Sequence, residues 1–244
     1  MKKSVLSVSI CVMAFVVAAS LAQATPVDCS TISDYAGLEA AMSCTIGSGA
    51  DQLTFSNFTF TGFASGTGIT PTDMGVSDLN GAPATPPSTD TIYGFLFNPS
   101  LTVSGIGVED IHISYTITAP SAIISSLHLL VNEVATGTGS SATVNETDTC
   151  SPPATPCTLF AGSTPPAAGF HEDLEGIGPY VTVSVDKDIN VTSTSANGFA
   201  AISGVRDAVD LTVTTTVPEP ATASYVLGAA ALIALGRLRR STRP

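Results

Sequence analysis

The chain has 244 residues, 8 Lys and Arg against 20 Asp and Glu, a formal net charge of −12 and no Trp. So few basic side chains cannot neutralise a run of phosphates, which excludes nucleic acid as a partner. The 44% hydrophobic content excludes a disordered chain, and apolar runs confined to the two ends exclude a multi-span membrane protein.

The chain opens on Met1-Lys2-Lys3, continues without charge from Ser4 to Ala19, and reaches Ala22-Gln23-Ala24. A basic start, an apolar stretch and an A-x-A ending predict a secretory signal peptide over 1–24, cut by signal peptidase between Ala24 and Thr25. The mature domain is expected over 25–217. It carries two basic residues, Lys187 and Arg206, against 19 acidic ones, a net charge of −17. Such a surface favours solubility and repels anionic polymers at low salt.

Cys11 leaves with the signal peptide, so Cys29, Cys44, Cys150 and Cys157 remain. An even count in an exported chain points to disulfides, with three possible connectivities. Sequence proximity favours Cys29–Cys44 and Cys150–Cys157. The first would clamp a short helix over 34–42, with Tyr35, Leu38 and Met42 on one face. Neither spacing is C-x-x-C, and no His lies nearby, so no metal is expected at these cysteines.

Period two dominates the body. Ile111, Ile113, Tyr115 and Ile117 fall on one face of a strand, with His112, Ser114 and Thr116 opposite. Val181, Val183, Val185, Ile189 and Val191 repeat the pattern, with Asp186, Asp188 and Asn190 on a polar edge. Further strands are expected over 53–60, 91–97, 123–134, 142–147, 199–202 and 209–217, with long Pro/Gly-rich loops over 62–87 and 150–178. No helical pattern alternates with these strands. The expectation is therefore all-β: a two-layer antiparallel β-sandwich, jelly-roll or Ig-like.

After Val217-Pro218-Glu219-Pro220 the chain is uncharged to Gly236 and then reads Arg237-Leu238-Arg239-Arg240. Prolines block a helix before Ala221, and a single transmembrane helix is expected over 221–236. It would be about 25 Å long, slightly short for a bilayer, with Arg237, Arg239 and Arg240 snorkelling on the cytoplasmic side. This sequence of parts over 218–244 resembles the PEP-CTERM sorting signal of Gram-negative bacteria. The resemblance implies recognition by an exosortase, a membrane cysteine protease-like enzyme. It also implies an inner-membrane anchored precursor, removal of the helix, and delivery to the cell surface or the extracellular space, often alongside exopolysaccharide. Segments of the body also resemble some PEP-CTERM proteins: Cys44-Thr45-Ile46-Gly47, the run Leu53 to Phe60, Asp110 to Ile117, and Lys187-Asp188-Ile189. Here Ser48 to Gln52 form an insertion relative to that pattern. This second resemblance implies an all-β domain and no particular activity.

Catalytic motifs are absent. There is no G-x-S-x-G, P-loop or H-E-x-x-H, and Gly66-Thr67-Gly68 and Gly137-Thr138-Gly139 lack the third glycine of a dinucleotide loop. His112 and His128 fall in strands. His171 and Glu175 have i,i+4 spacing in a region expected to be loop, which reads as a solvated acidic turn rather than a metal site. Asp186 to Asn190 begins like a calcium loop, but Val191 stands at the glycine position and Asn197 at the bidentate glutamate position. The chain therefore reads as a non-catalytic, exported surface or extracellular-matrix protein without a cofactor, anchored in the membrane before processing and associated with exopolysaccharide. The alternative is a carbohydrate-binding or glycan-hydrolysing sandwich with the same routing. A groove with aromatics and two carboxylates ~5–10 Å apart would mark the latter.

Overall fold

The computed structural model describes residues 27–65, 68–83, 91–151, 155–163 and 167–212. The expected signal peptide, sorting motif and C-terminal helix fall outside these residues. Among the described residues no helix is long and apolar enough to cross a membrane.

Among the described residues thirteen strands form two sheets. The first runs in the order β1 (Val27–Asp28), β2 (Ser43–Ile46), β3 (Leu53–Ala64), β7 (Gly107–Thr118), β12 (Thr182–Ser193), β9 (Ser140–Ser151), β10 (Thr155–Ser163). The second runs β11 (Ala167–Tyr180), β8 (Ile123–Thr136), β13 (Phe199–Thr212), β5 (Thr91–Asn98), β4 (Gly75–Pro83), with β6 (Leu101–Ser104) also paired to β13. All pairings are antiparallel except β1 with β2. The chain crosses between sheets after β3, β6, β7, β8, β10, β11 and β12, so strands distant in sequence become neighbours.

One apolar core holds the inward faces of both sheets. Alternation produces it. From the first sheet come Phe55, Ile111, Ile113, Ile117, Val144, Val183, Val185 and Ile189; from the second come Phe95, Phe97, Leu127, Leu129, Val131, Val205 and Val209. Aromatic rings fill one end. Phe55 of β3 meets Phe95 of β5 edge-on at 4.7 Å between centroids, and Tyr115 packs against Phe55, Phe58, Phe95 and Phe97. Gly94 is required where β5 crosses β13: an added Cβ would lie 2.2 Å from the carbonyl oxygen of Asp207.

Several expectations need correction. The expected 150–178 loop is largely the strands β10 and β11, and the expected 62–87 loop contains a one-turn helix over Pro71–Asp73 and then β4. Glycine and proline density obscured strands whose pairing partners supply the alternation. The strands expected over 199–202 and from 209 onward are, as far as Thr212, one strand, β13, whose register shifts between Ile202 and Gly204; 213–217 lie outside the described residues. The 171–175 segment is not a turn: it lies in β11, where Asp173 and Glu175 point toward β10. Asp173 accepts a hydrogen bond from the Phe160 amide at 2.7 Å, and Glu175 one from the Thr158 amide at 3.2 Å. These carboxylates occupy the donors that an open sheet edge would present to another chain.

The short helix α1 (Tyr35–Ala41) is capped by Asp34, whose side chain accepts from the Gly37 amide at 2.8 Å. Tyr35 and Leu38 are buried as expected, whereas Met42 ends the helix at φ 59° and is exposed. Cys29 and Cys44 form the expected disulfide, tying the chain before α1 to β2. Cys150 is also disulfide-bonded. β10 folds back on β9, placing Cys157 opposite Asp148, two residues from Cys150, while the Cys157 side chain is outside the described ones. Opening the 15-residue Cys29–Cys44 separation should lower stability by about 3 kcal/mol in the chain-entropy account. Urea unfolding of Cys29→Ser against wild type, both without reductant, tests this; equal midpoints would contradict it.

Candidate functional site

Three groups of polar side chains stand out, one on each outer face and one between the sheets.

On the outside of the first sheet, strand register lines up hydrogen-bonding side chains across β3, β7, β12 and β9. One row reads Ser56, Thr116, Ser184, Thr149; the next reads Thr59, Ser114, Asp186, Thr147; a third reads Thr61, His112, Asp188, Asn145. The polar edge expected of Asp186, Asp188 and Asn190 is present at its centre. His112 Nε2 lies 2.8 Å from Asp186 Oδ1, and Asn190 donates to Asp110 Oδ1 at 3.1 Å. Burial, aided by a hydrogen bond and repulsion from Asp110, pushes the Asp188 carboxyl up to about 6. Among the described residues no group of His, Cys, Asp and Glu is arranged to hold a metal ion.

The outside of the second sheet is dished. Its floor and walls come from Leu96 and Asn98 of β5, Leu130 and Asn132 of β8, and Ser203, Gly204 and Arg206 of β13, enclosing about 330 Å³. The cause is local. The β13 bulge at Ser203 puts Gly204, which has no side chain, between flanking residues of β5 and β8. A Cβ added at Gly204 meets only Leu96 Cδ1, at 3.6 Å. Asn132 donates to Ser203 Oγ at 2.9 Å, and Arg206 donates to the Pro83 carbonyl at 3.2 Å. Among the described side chains, no carboxylate and no aromatic ring lines the dish. Farther along the same face His128 is buried, with Nε2 2.8 Å from Asp210 Oδ2, and Ser126 donates to that oxygen at 2.6 Å. Burial alone would raise Asp210, but these two partners outweigh it and hold the carboxyl below its usual range.

The third group was not anticipated. Lys187, one of two Lys or Arg among the described residues, is completely buried. It occupies the inward position between Val185 and Ile189 on β12, directly opposite Glu146 of β9. Its Nζ contacts Glu146 and lies 3.0 Å from Asp207 Oδ2 of β13, in the other sheet. The Tyr115 hydroxyl donates to that same oxygen. Asp148, also buried, is the next inward residue on β9 after Glu146. Burial raises Glu146, and burial with repulsion from Glu146 pushes Asp148 up to about 11. Burial would lower Lys187, but Asp207 and Glu146 outweigh it and keep the ammonium above its usual range. An unpaired buried ion costs several kcal/mol. Asp148 therefore holds a proton at neutral pH.

The sequence signal was present. Lys187 breaks an otherwise apolar set, and Glu146 and Asp148 continue the inward phase of Ala142 and Val144. A strand period that carries a charge inward marks a buried ion.

No family model and no curated protein sequence matches the chain. Among solved structures it is similar to the enzymatically active domain of tailspike protein 4 from bacteriophage CBA120, with 16% identity and a TM-score of 0.28 over 63% of this chain, which spans 19% of the tailspike's length. It is also similar to TmCBM61, solved in complex with β-1,4-galactotriose, with 8% identity and a TM-score of 0.31 over 64% of this chain and 88% of that one. At these scores neither likeness bears on what this chain does.

The Asp188 carboxyl carries a pH signature. Its folded value lies above the ordinary 3.8, so the fold binds the protonated form more tightly. That stabilisation is complete below the unfolded value and lost as pH rises through about 6. Asp188→Asn should therefore raise stability at pH 7.5 and not at pH 3.5. Because the face is solvated, the gain should stay under about 1 kcal/mol. Thermal unfolding across pH checks it; a gain of the same size at both pH values would contradict the assignment.

Proposed function

We propose that the chain is an exported, non-catalytic surface protein that associates with exopolysaccharide and holds it in the dish on the second sheet. In this reading signal peptidase cuts before Thr25. The segment 218–244 then anchors a precursor in the inner membrane until an exosortase acts at Val217-Pro218-Glu219-Pro220. The released domain reaches the surface or the extracellular matrix of a Gram-negative cell.

The observation that carries the binding reading is the make-up of the dish. Two amides, a hydroxyl and a guanidinium converge on a concavity with two leucines in its lining. Sugars offer hydroxyls to such amides and C–H surface to such leucines. The volume is at the lower end of ligand pockets, enough for one or two rings. The non-catalytic reading is supported by the placement of the carboxyls. Glu146, Asp148 and Asp207 are sealed between the sheets, and Asp110, Asp186 and Asp188 lie on the outer face of the first sheet, away from the dish.

Two experiments test the two halves. Glu219→Ala should leave export intact but keep the protein membrane-bound at precursor length, because Glu219 is the only charge in the sorting element. Immunoblots of membrane and medium fractions read this, and release at the wild-type rate would refute exosortase processing. For binding, Gly204→Val puts a side chain into the dish at a position with room for a Cβ. It should abolish retention on an array of neutral and uronate-containing oligosaccharides, with and without calcium, while the circular dichroism spectrum stays unchanged. Undiminished binding by this variant would remove the dish from consideration.

A further inference from the structure

We propose that Lys187 and Asp207 condense within the folded protein to form a side-chain amide that joins the two sheets through the core.

The geometry supplies each requirement of that reaction. The nucleophile lies against the carboxyl group it would attack: Lys187 Nζ is 3.0 Å from Asp207 Oδ2, one bond from Cγ, with both side chains excluded from solvent. Groups fixed at such separation react with effective molarities of roughly 10⁵ M and above. The Asp207 backbone is pinned as well, because β5 passes so close at Gly94 that no side chain fits there. A proton carrier touches the nucleophile, since Glu146 is in contact with Nζ. In an apolar surround, passing a proton from Nζ to Glu146 turns a charged pair into a neutral one and frees the amine lone pair. A donor is aimed at the oxygen that develops charge: the Tyr115 hydroxyl already donates to Asp207 Oδ2. The remaining acid, Asp148, is buried one inward position along β9 from Glu146.

The step balances without an outside reagent. Nζ attacks Cγ of Asp207, the Cγ–Oδ1 bond breaks, and Oδ1 leaves as water. Of the three ammonium protons one stays on the amide nitrogen, and Glu146 carries the other two in turn to the departing oxygen. An ammonium and a carboxylate become a neutral amide and a water molecule, so two charges disappear from the core. The pull toward product is the removal of a buried ion pair, whose desolvation is the main cost of keeping it. Glu146 is assigned the carrier role and Asp207 the electrophile because only Asp207 receives the tyrosine hydroxyl.

Mass spectrometry of the exported protein decides the matter. After denaturation and reduction, the wild-type mass should fall one water below that of the sequence between its measured termini. Peptide sequencing should then find a branched peptide joining Lys187 to Asp207. An unbranched peptide containing unmodified Lys187 at full yield would overturn the proposal, and a branch to Glu146 would overturn the choice of electrophile. Two variants add detail. Asp207→Asn should reach the same cross-linked mass by losing ammonia instead of water. Glu146→Gln should slow linking by about 10²-fold or more, the usual contribution of a positioned proton carrier; linking at the wild-type rate would remove Glu146 from that role. Should either variant fail to fold, the wild-type measurement alone still decides.

Discussion

One ammonium and three carboxyl groups occupy a layer otherwise filled by valine, isoleucine, leucine and phenylalanine. Water cannot screen them there, so each charge needs a partner within contact or a proton of its own. That demand constrains the fold more tightly than hydrophobic packing does. A two-residue slip of β12 would keep its apolar set inward, but it would carry Lys187 away from Glu146 and leave Glu146 and Asp207 without their cation. The cluster also reads across the sandwich: Lys187 and Glu146 fix β12 against β9, and Asp207 fixes the second sheet against both. A sandwich whose layers meet through such contacts has one relative placement of its sheets.

The outer faces carry the chemistry that the core cannot use. The first sheet presents level rows of hydroxyl, amide and carboxylate groups, because every second residue of β3, β7, β12 and β9 is polar and the strands are in register. The second sheet is interrupted where β13 bulges, and that irregularity turns a flat face into a concave one. The same strand presents Asp207 inward and Arg206 outward, so the core cluster and the dish are built on adjacent residues of β13 and share its backbone placement.

Alternation made β7 and β12 legible from the sequence, because each carries four or more inward apolar residues in strict phase. The Cys29–Cys44 bond and the helix between them were legible for a similar reason: the contacts are local. What could not be read was anything set by partners far along the chain. β10 and β11 lie in segments dense with proline and glycine and are strands because β9 and β8 offer them edges. The dish needs β5, β8 and β13 side by side, an order that no local pattern specifies. The core cluster was half visible. The phase of β12 put Lys187 inward, but only the pairing of sheets reveals that Asp207, 20 positions later, receives it.

Burying Lys187 leaves Arg206 as the sole lysine or arginine at the surface of the described residues. A protease that requires a basic residue before the scissile bond thus meets one site across the folded body, and that site is held in the middle of a paired strand. Reagents that modify primary amines meet none in the same region. Hiding the one lysine among the described residues makes the folded domain nearly invisible to basic-residue proteolysis and to amine-directed chemical damage alike.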